Sequence, residues 1–168
     1  MAHGPRYQVK PRRRREGITD YRKRFKLLKS RKTRLVIRKS LKKTTIQFVE
    51  YKEKGDHVIV SVDSKELVKK YNWEHSTSST SAAYLTGMIA GKKAKDKGIK
   101  ECVLDIGRSV PTTGGKIFAS LKGVIDAGVN CPHDETKIPS EERIYGKHID
   151  NKITDAVNEV KKDIIGGK

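Results

Sequence analysis

The stretch Gly107-Arg108-Ser109-Val110-Pro111-Thr112-Thr113-Gly114-Gly115-Lys116 comes nearest, in this sequence, to a piece of chemical machinery. A glycine-rich loop that ends in lysine between a strand and a helix can cradle phosphate with its backbone N–H groups. The spacing for nucleotide hydrolysis fails, however. G-x-x-x-x-G-K-[ST] would need glycine where Val110 or Ser109 stands and a hydroxyl residue where Ile117 stands. The loop can still receive a nucleic-acid phosphate, with a helix N-terminus at Gly115 and Lys116 and Arg108 beside it. The alternative is a plain strand-to-helix loop. Other catalytic patterns are missing: the sequence has no GxGxxG, GxSxG or HExxH. Asp134-Glu135 and Glu141-Glu142 are adjacent pairs, whereas acid–base catalysis needs carboxylates set across a substrate in different environments. They read as solvated groups or helix starts. His3, His57, His75, His133 and His148 are scattered, without a nucleophile and an orienting acid near any one of them. Cys102 and Cys131 form no CxxC pair, and His133 two residues after Cys131 does not complete a tetrahedral site, so two ordinary buried thiols are expected and no metal or cofactor.

The residues that could bind rather than react are basic, and they are segregated. Residues 1–43 hold 18 Lys and Arg against Glu16 and Asp20 alone, a net of +16 out of the chain's +18. The other 125 residues are nearly neutral, at +2. A basic arm on a neutral body is the footprint of a protein that neutralises phosphates and releases condensed counterions. The alternative is a solubilising face or a nuclear import signal, although a solvated face would interleave acids with the bases.

These groups must be held by structure. Up to Gly17 the arm has Pro5, Pro11 and the run Arg12-Arg13-Arg14-Arg15 but no apolar periodicity, so it should be disordered until RNA orders it. From Thr19, a plausible N-cap, the spacing of Tyr21, Phe25 and Leu28 predicts a short basic helix. Its apolar stripe would dock on the body and leave Arg22, Lys23, Lys26 and Lys29 for phosphates. Three strands follow: Leu35-Val36-Ile37, then Thr44 to Tyr51 with Ile46 and Phe48 on one face, then Val58, Val60 and Val62 alternating after a turn at Gly55-Asp56. The Ser76 to Ser81 cluster reads as a loop and cap for a helix carrying Ala82, Leu85 and Ile89, in which Gly87 and Gly91 would let the helix lie close against the sheet. Cys102 to Ile106 is a short strand. Ile117, Phe118, Leu121, Val124 and Ile125 mark a helix that Gly128 ends. Trp73 and Tyr71 could stack bases, but a loop aromatic next to a helix end is more often a packing residue. Pro139-Ser140-Glu141-Glu142 starts a short helix, and Ile149, Ile153, Val157, Val160 and Ile164 mark a C-terminal one with a frayed Gly166-Gly167-Lys168 end. The expected fold is α/β, a mixed sheet in β-β-β-α-β-α order with a basic N-terminal extension and C-terminal helices. The expected organisation is an extension over 1–30, a core over 31–130 and a C-terminal helical segment over 131–168. No apolar run is long enough to cross a bilayer, and cytoplasmic residence is expected.

Several blocks carry a family resemblance. Gly4-Pro5-Arg6-Tyr7 and Arg12 to Arg22 resemble the N-terminal signature of large-subunit ribosomal protein eighteen of archaea, called large-subunit protein five in eukaryotes. Arg34-Leu35-Val36-Ile37-Arg38-Lys39-Ser40, Gly98-Ile99-Lys100, Asp105-Ile106-Gly107-Arg108 and Phe118 to Gly123 extend the match in the same order, and the length fits the shorter archaeal form. The chain departs from that pattern at Ile18, where lysine is common, and at Cys131 before Pro132. The resemblance implies a ribonuclease H-like α/β domain of the translational machinery without the nuclease's carboxylates, and no enzymatic activity, membrane or small-molecule substrate. Its implied partners are 5S rRNA, the large-subunit rRNA and neighbouring large-subunit proteins of the central protuberance. Carried over by position, the contacts fall on Arg6, Tyr7, Lys10, Arg12, Arg13, Arg14, Arg15, Arg22, Lys23, Lys26, Arg34, Arg38, Lys39, Ser40, Arg108, Gly115 and Lys116. Two other classes stay open: an RNA-modifying or phosphoryl-transferring enzyme working from the Gly107–Lys116 loop, and a DNA-binding architectural protein that would hold duplex DNA as tightly as RNA.

Overall fold

A computed structural model describes residues 4–166. The frayed end expected at Gly167 and Lys168, and His3, lie outside the described residues. The strands β1 (Arg34–Lys39), β2 (Thr44–Lys52) and β3 (Gly55–Asp63) form an antiparallel meander. β4 (Val103–Asp105) joins β1 in parallel, so the four-stranded mixed sheet runs β3-β2-β1-β4. Leu35, Ile37, Ile46, Phe48, Val60 and Val62 bury one face, as strand alternation requires.

Against that face pack α4 (Thr80–Asp96) and α5 (Lys116–Asp126). Ser79 caps α4 by accepting the Ala82 N–H at 3.0 Å, and every residue from Ser81 to Gly91 is buried. A helix covered on all sides needs small residues where its neighbours cross. Here the expectation for Gly87 and Gly91 is corrected, because their partner is α5 and not the sheet. A Cβ on Gly87 would sit 2.1 Å from the Ser120 carbonyl oxygen, and one on Gly91 would sit 2.6 Å from Ala127 Cβ. Gly123 of α5 faces back, its Cβ position 2.1 Å from the Tyr84 carbonyl oxygen. Gly128, at φ +99°, ends α5 as expected and donates its N–H to Ile125 O at 2.8 Å.

Four further differences have identifiable causes. A helix α3 (Lys65–Tyr71) stands between β3 and α4; it buries only Leu67, too little to leave a helical period in the sequence. Val58 does not share a face with Val60 and Val62. The pairing shifts so that Phe48 opposes Val60 while Val49 opposes Val58, which leaves Ile59 as the extra residue of a bulge and turns Val58, 43% exposed, toward the other face. In α7 (Asn151–Gly166), Val157, Val160 and Ile164 are buried and Ile153 is partly so, but Ile149 precedes the helix and is exposed. The run Arg12–Arg15 forms one helical turn, α1, instead of irregular chain: Arg14 and Arg15 donate their N–H groups to Pro11 O at 2.9 and 3.1 Å, and Gly17 at φ +65° closes it. Its four side chains are all exposed. Before α7, Ser140 precedes α6 (Glu141–Ile144) as the sequence indicates. Trp73 is buried and donates its ring N–H to Ser76 O.

Candidate nucleic-acid interface

The arm lies over the sheet face that α4 and α5 leave uncovered. Its helix α2 (Tyr21–Lys29) begins one residue later than Thr19 suggests. Asp20 is the cap, accepting the N–H groups of Lys23 at 3.1 Å and Arg22 at 3.0 Å. Those donors, Lys23 foremost, hold the Asp20 carboxyl below the ordinary carboxylate range. Thr19 instead accepts from Arg13 Nε at 2.9 Å, fastening α1 to the start of α2.

A ladder of alternating charges joins α2 to the sheet. Arg24 of α2 donates to Asp56 Oδ1 at 2.8 Å, and Asp56 Oδ2 lies 2.8 Å from Arg34 Nη2. Arg34 Nη1 donates to Asp105 Oδ2 at 3.1 Å, and Asp105 Oδ1 in turn accepts from Arg38 Nη2 at 3.1 Å and from the Gly107 N–H at 2.8 Å. Arg38 Nη1 adds a bond to the Asp105 carbonyl at 2.7 Å. The hydrogen bond from Arg24, with the positive charge of Arg34 beside it, keeps Asp56 below the usual carboxylate range. Within this ladder Arg34 is 2% exposed, and its Nε finds no hydrogen-bond partner among the described residues. Its Nη2 faces Asp56 off the N–H direction, as an ion pair without a hydrogen bond.

This alters the reading of two expected contacts. Arg34 has no exposed edge to give a phosphate, because its guanidinium is committed beneath the arm. Arg38 is half committed, with a 47% exposed side chain held by Asp105. Gly107 at φ +62° makes room for it: a Cβ there would lie 2.9 Å from the Arg38 guanidinium carbon. Neither Asp56 nor Asp105 stands out in the sequence as part of the site. The available signal was Asp105 itself, the lone acid inside an apolar strand whose partner strand is flanked by arginines.

Between α2 and the sheet runs a cleft of about 610 Å³, floored by Val36, Val49, Val58 and Leu104 and rimmed by Arg13, Lys23, Lys26 and Arg108. Arg108 hydrogen-bonds the Gly17 carbonyl of the arm. Gly115 caps α5 and Lys116 opens it, yet neither lines the cleft that holds Arg108. The structure therefore divides the expected loop site, joining Arg108 to the arm and leaving Gly115 and Lys116 with α5. Arg6, Tyr7, Lys10, Arg12 to Arg15, Arg22, Lys23 and Lys26 are exposed along the arm. Lys39 and Ser40 are exposed at the β1–β2 turn, where Ser40 Oγ accepts the Lys43 N–H at 3.0 Å.

The apolar stripe expected to dock α2 does so only in part. Arg24, Leu27 and Leu28 are half-buried, while Tyr21 and Phe25 are exposed. Arg24 and Leu27 face the sheet, where Arg24 bonds Asp56, and the aromatic pair faces solvent.

Elsewhere the reactive residue types have structural roles. Asp134 Oδ1 accepts from the Thr136 N–H and hydroxyl to start a 3₁₀ turn over Glu135–Lys137, and Glu141 and Glu142 open α6. Cys102 and Cys131 are both buried free thiols. Among the described residues, no three His, Cys, Asp or Glu side chains gather as a metal site would need.

A mixed-sheet α/β domain with an exposed arm that holds most of the net positive charge has the charge layout of polyanion-binding proteins. The family model for "Ribosomal large subunit proteins 60S L5, and 50S L18" matches residues 5–100 and 92–134 of this chain. A curated relative, "Large ribosomal subunit protein uL18" of Aeropyrum pernix, is 48% identical over 149 residues, covering 89% of this chain and 70% of its own length. The chain belongs to this family of large-subunit ribosomal proteins, which are ribosomal structural proteins and not enzymes.

Proposed function

We propose that this chain is a structural constituent of the large ribosomal subunit that binds 5S rRNA and anchors it to the large rRNA in the central protuberance, beside neighbouring large-subunit proteins. One observation carries the reading most: α1 and α2 present Arg12 to Arg15, Arg22, Lys23 and Lys26 to solvent, in a family of ribosomal proteins. Arg6, Tyr7, Lys10, Lys39, Ser40 and Arg108 extend the proposed contact surface, with the exposed part of Arg38 at its edge. Gly115 and Lys116 offer a separate phosphate contact at the start of α5. Arg34 acts beneath this surface, fixing where the arm lies. The sheet order, with a parallel β4 beside a three-stranded meander, supports a ribonuclease H-like domain, and the work is that of a ribosome in the cytoplasm.

A titration of the full chain against 5S rRNA and an unrelated structured RNA of equal length tests the reading. Tighter binding of 5S rRNA is expected, and equal affinities would count against it. Replacing Arg12, Arg13, Arg14 and Arg15 with Ala should weaken both and flatten the dependence of log K on log salt by roughly 0.7 to 0.9 for each phosphate that is no longer neutralised. An unchanged slope would remove α1 from the interface.

A further inference from the structure

The aromatic pair on the outer side of α2 has no role in the ion ladder or the core. Tyr21 and Phe25 stand one helical turn apart, 40% and 61% exposed. Their neighbours on the solvent side are Arg22, Lys23, Lys26 and Lys29, and the Lys29 ammonium sits 5.2 Å from the centre of the Phe25 ring. Tyr21 and Phe25 also line a shallow groove whose walls include Arg14, Arg22, Lys23 and Arg108.

Two exposed rings one turn apart add little to the fold and offer a flat apolar surface to a partner, whose character follows from the surrounding charge. An apolar protein surface pressed onto the pair would have to desolvate at least four like charges with only the capping Asp20 nearby. A nucleotide in an RNA strand brings its own phosphate. Its π face stacks on an aromatic ring while the phosphate on either side meets a cation, the arrangement by which unpaired nucleotides are held without reading their sequence. A base inside an RNA duplex has no free face to offer, so the ligand must be unstacked.

We propose that Tyr21 and Phe25 form a stacking platform for unpaired bases of the bound RNA, with Arg22, Lys26 and Lys29 holding the flanking phosphates. This rests on the RNA-binding reading above and adds to it a place on the protein and a feature of the RNA, namely a loop or bulge that docks on the outer face of α2. Electrostatic attraction alone would hold a paired stem there equally well. The platform discriminates between the two.

The test uses the full chain, 5S rRNA and a blunt, fully paired RNA duplex, with wild type, Tyr21→Leu/Phe25→Leu and Phe25→Trp. Leucine keeps the apolar bulk and the charge but has no ring. The double variant should bind 5S rRNA at least about fivefold more weakly for each base stacked, with an unchanged salt slope because every cation is still present. Duplex affinity should stay within about twofold of wild type, since the cations that meet its phosphates remain. Trp73 is buried and provides the baseline emission. The additional emission of F25W should be quenched by 5S rRNA and not by the duplex. Unchanged 5S affinity, an equal loss of both RNAs, or F25W emission indifferent to 5S rRNA would each overturn the platform. A wild-type chain that fails to prefer 5S rRNA would overturn the reading beneath it instead.

Discussion

At Asp105 two guanidinium groups share one carboxylate, and the energetic consequence depends on how deeply each partner lies. The Arg34 side chain is 3% exposed and the Asp105 side chain 10%. Removing the acid leaves a buried cation with only Asp56 to balance it. Asp105→Ala should therefore lower unfolding free energy by about 3 kcal/mol or more, measured by urea denaturation. Arg24 and Asp56 meet at nearly the same distance but with side chains 29% and 30% exposed, so water already screens the pair. Arg24→Ala should cost under about 1 kcal/mol. Equal losses would mean that the ladder acts as one unit. These two residues also differ in what they hold. Asp105 keeps Arg38 and the Gly107 backbone in place, whereas Arg24 joins α2 to the sheet through Asp56.

Among the elements, the crossing of α4 and α5 is the one that admits least change. Gly87 and Gly123 bring the two backbones together where any Cβ would enter a carbonyl oxygen at 2.1 Å. On helix propensity alone, glycine to alanine would stabilise by about 1 kcal/mol. Backbone cannot swing aside as a lysine tip can, so the overlap must separate the helices, an overpacking that costs about 1–3 kcal/mol or more. Gly123→Ala should therefore destabilise by about 1–2 kcal/mol net, and a raised midpoint in chemical denaturation would show that the helices shift freely. The crossing also matters for the interface: α5 packs on β1, so a displaced α5 would move the strand that carries Arg34 and Arg38.

Over the whole molecule, the described body and arm are stabilised by different means. The body has a continuous apolar core running from the sheet through α4 and α5 to α7. The arm from Gly4 to Glu16 buries no side chain, and Gly17 meets the body through its carbonyl and Arg108. Deleting residues 1–17 should leave a single cooperative unfolding transition, with stability lowered by less than about 1 kcal/mol because the arm is tied to the body only by exposed polar bonds. Loss of the cooperative thermal transition in the truncated chain would show that the arm packs as part of the core. The truncated chain should also bind RNA more weakly, since it lacks the arginine run.

Much of this was legible in residue order. Charge segregation identified the arm, the alternation at Ile46 and Phe48 identified the buried sheet face, and Ser79, Ser140 and Gly128 stood where helices start or stop. Local pattern suffices there because a cap or an alternation is decided within a few residues of chain. Tertiary structure decided which cations are free. Arg34 and Arg38 look alike in the sequence, both flanking an apolar strand, but a single acid, Asp105, 71 residues from the first and 67 from the second, pairs with one in the interior and tethers the other at the surface. It also decided the face of α2. A helical period shows that Tyr21, Phe25 and Leu28 lie near one another, but not which side of the helix meets the sheet; Leu27 and Leu28 are half-buried, Arg24 bonds Asp56 32 residues away, and the rings face outward. The partner of Gly87 was equally hidden. A missing side chain signals close approach, and only the assembled fold determines that the approaching backbone belongs to α5.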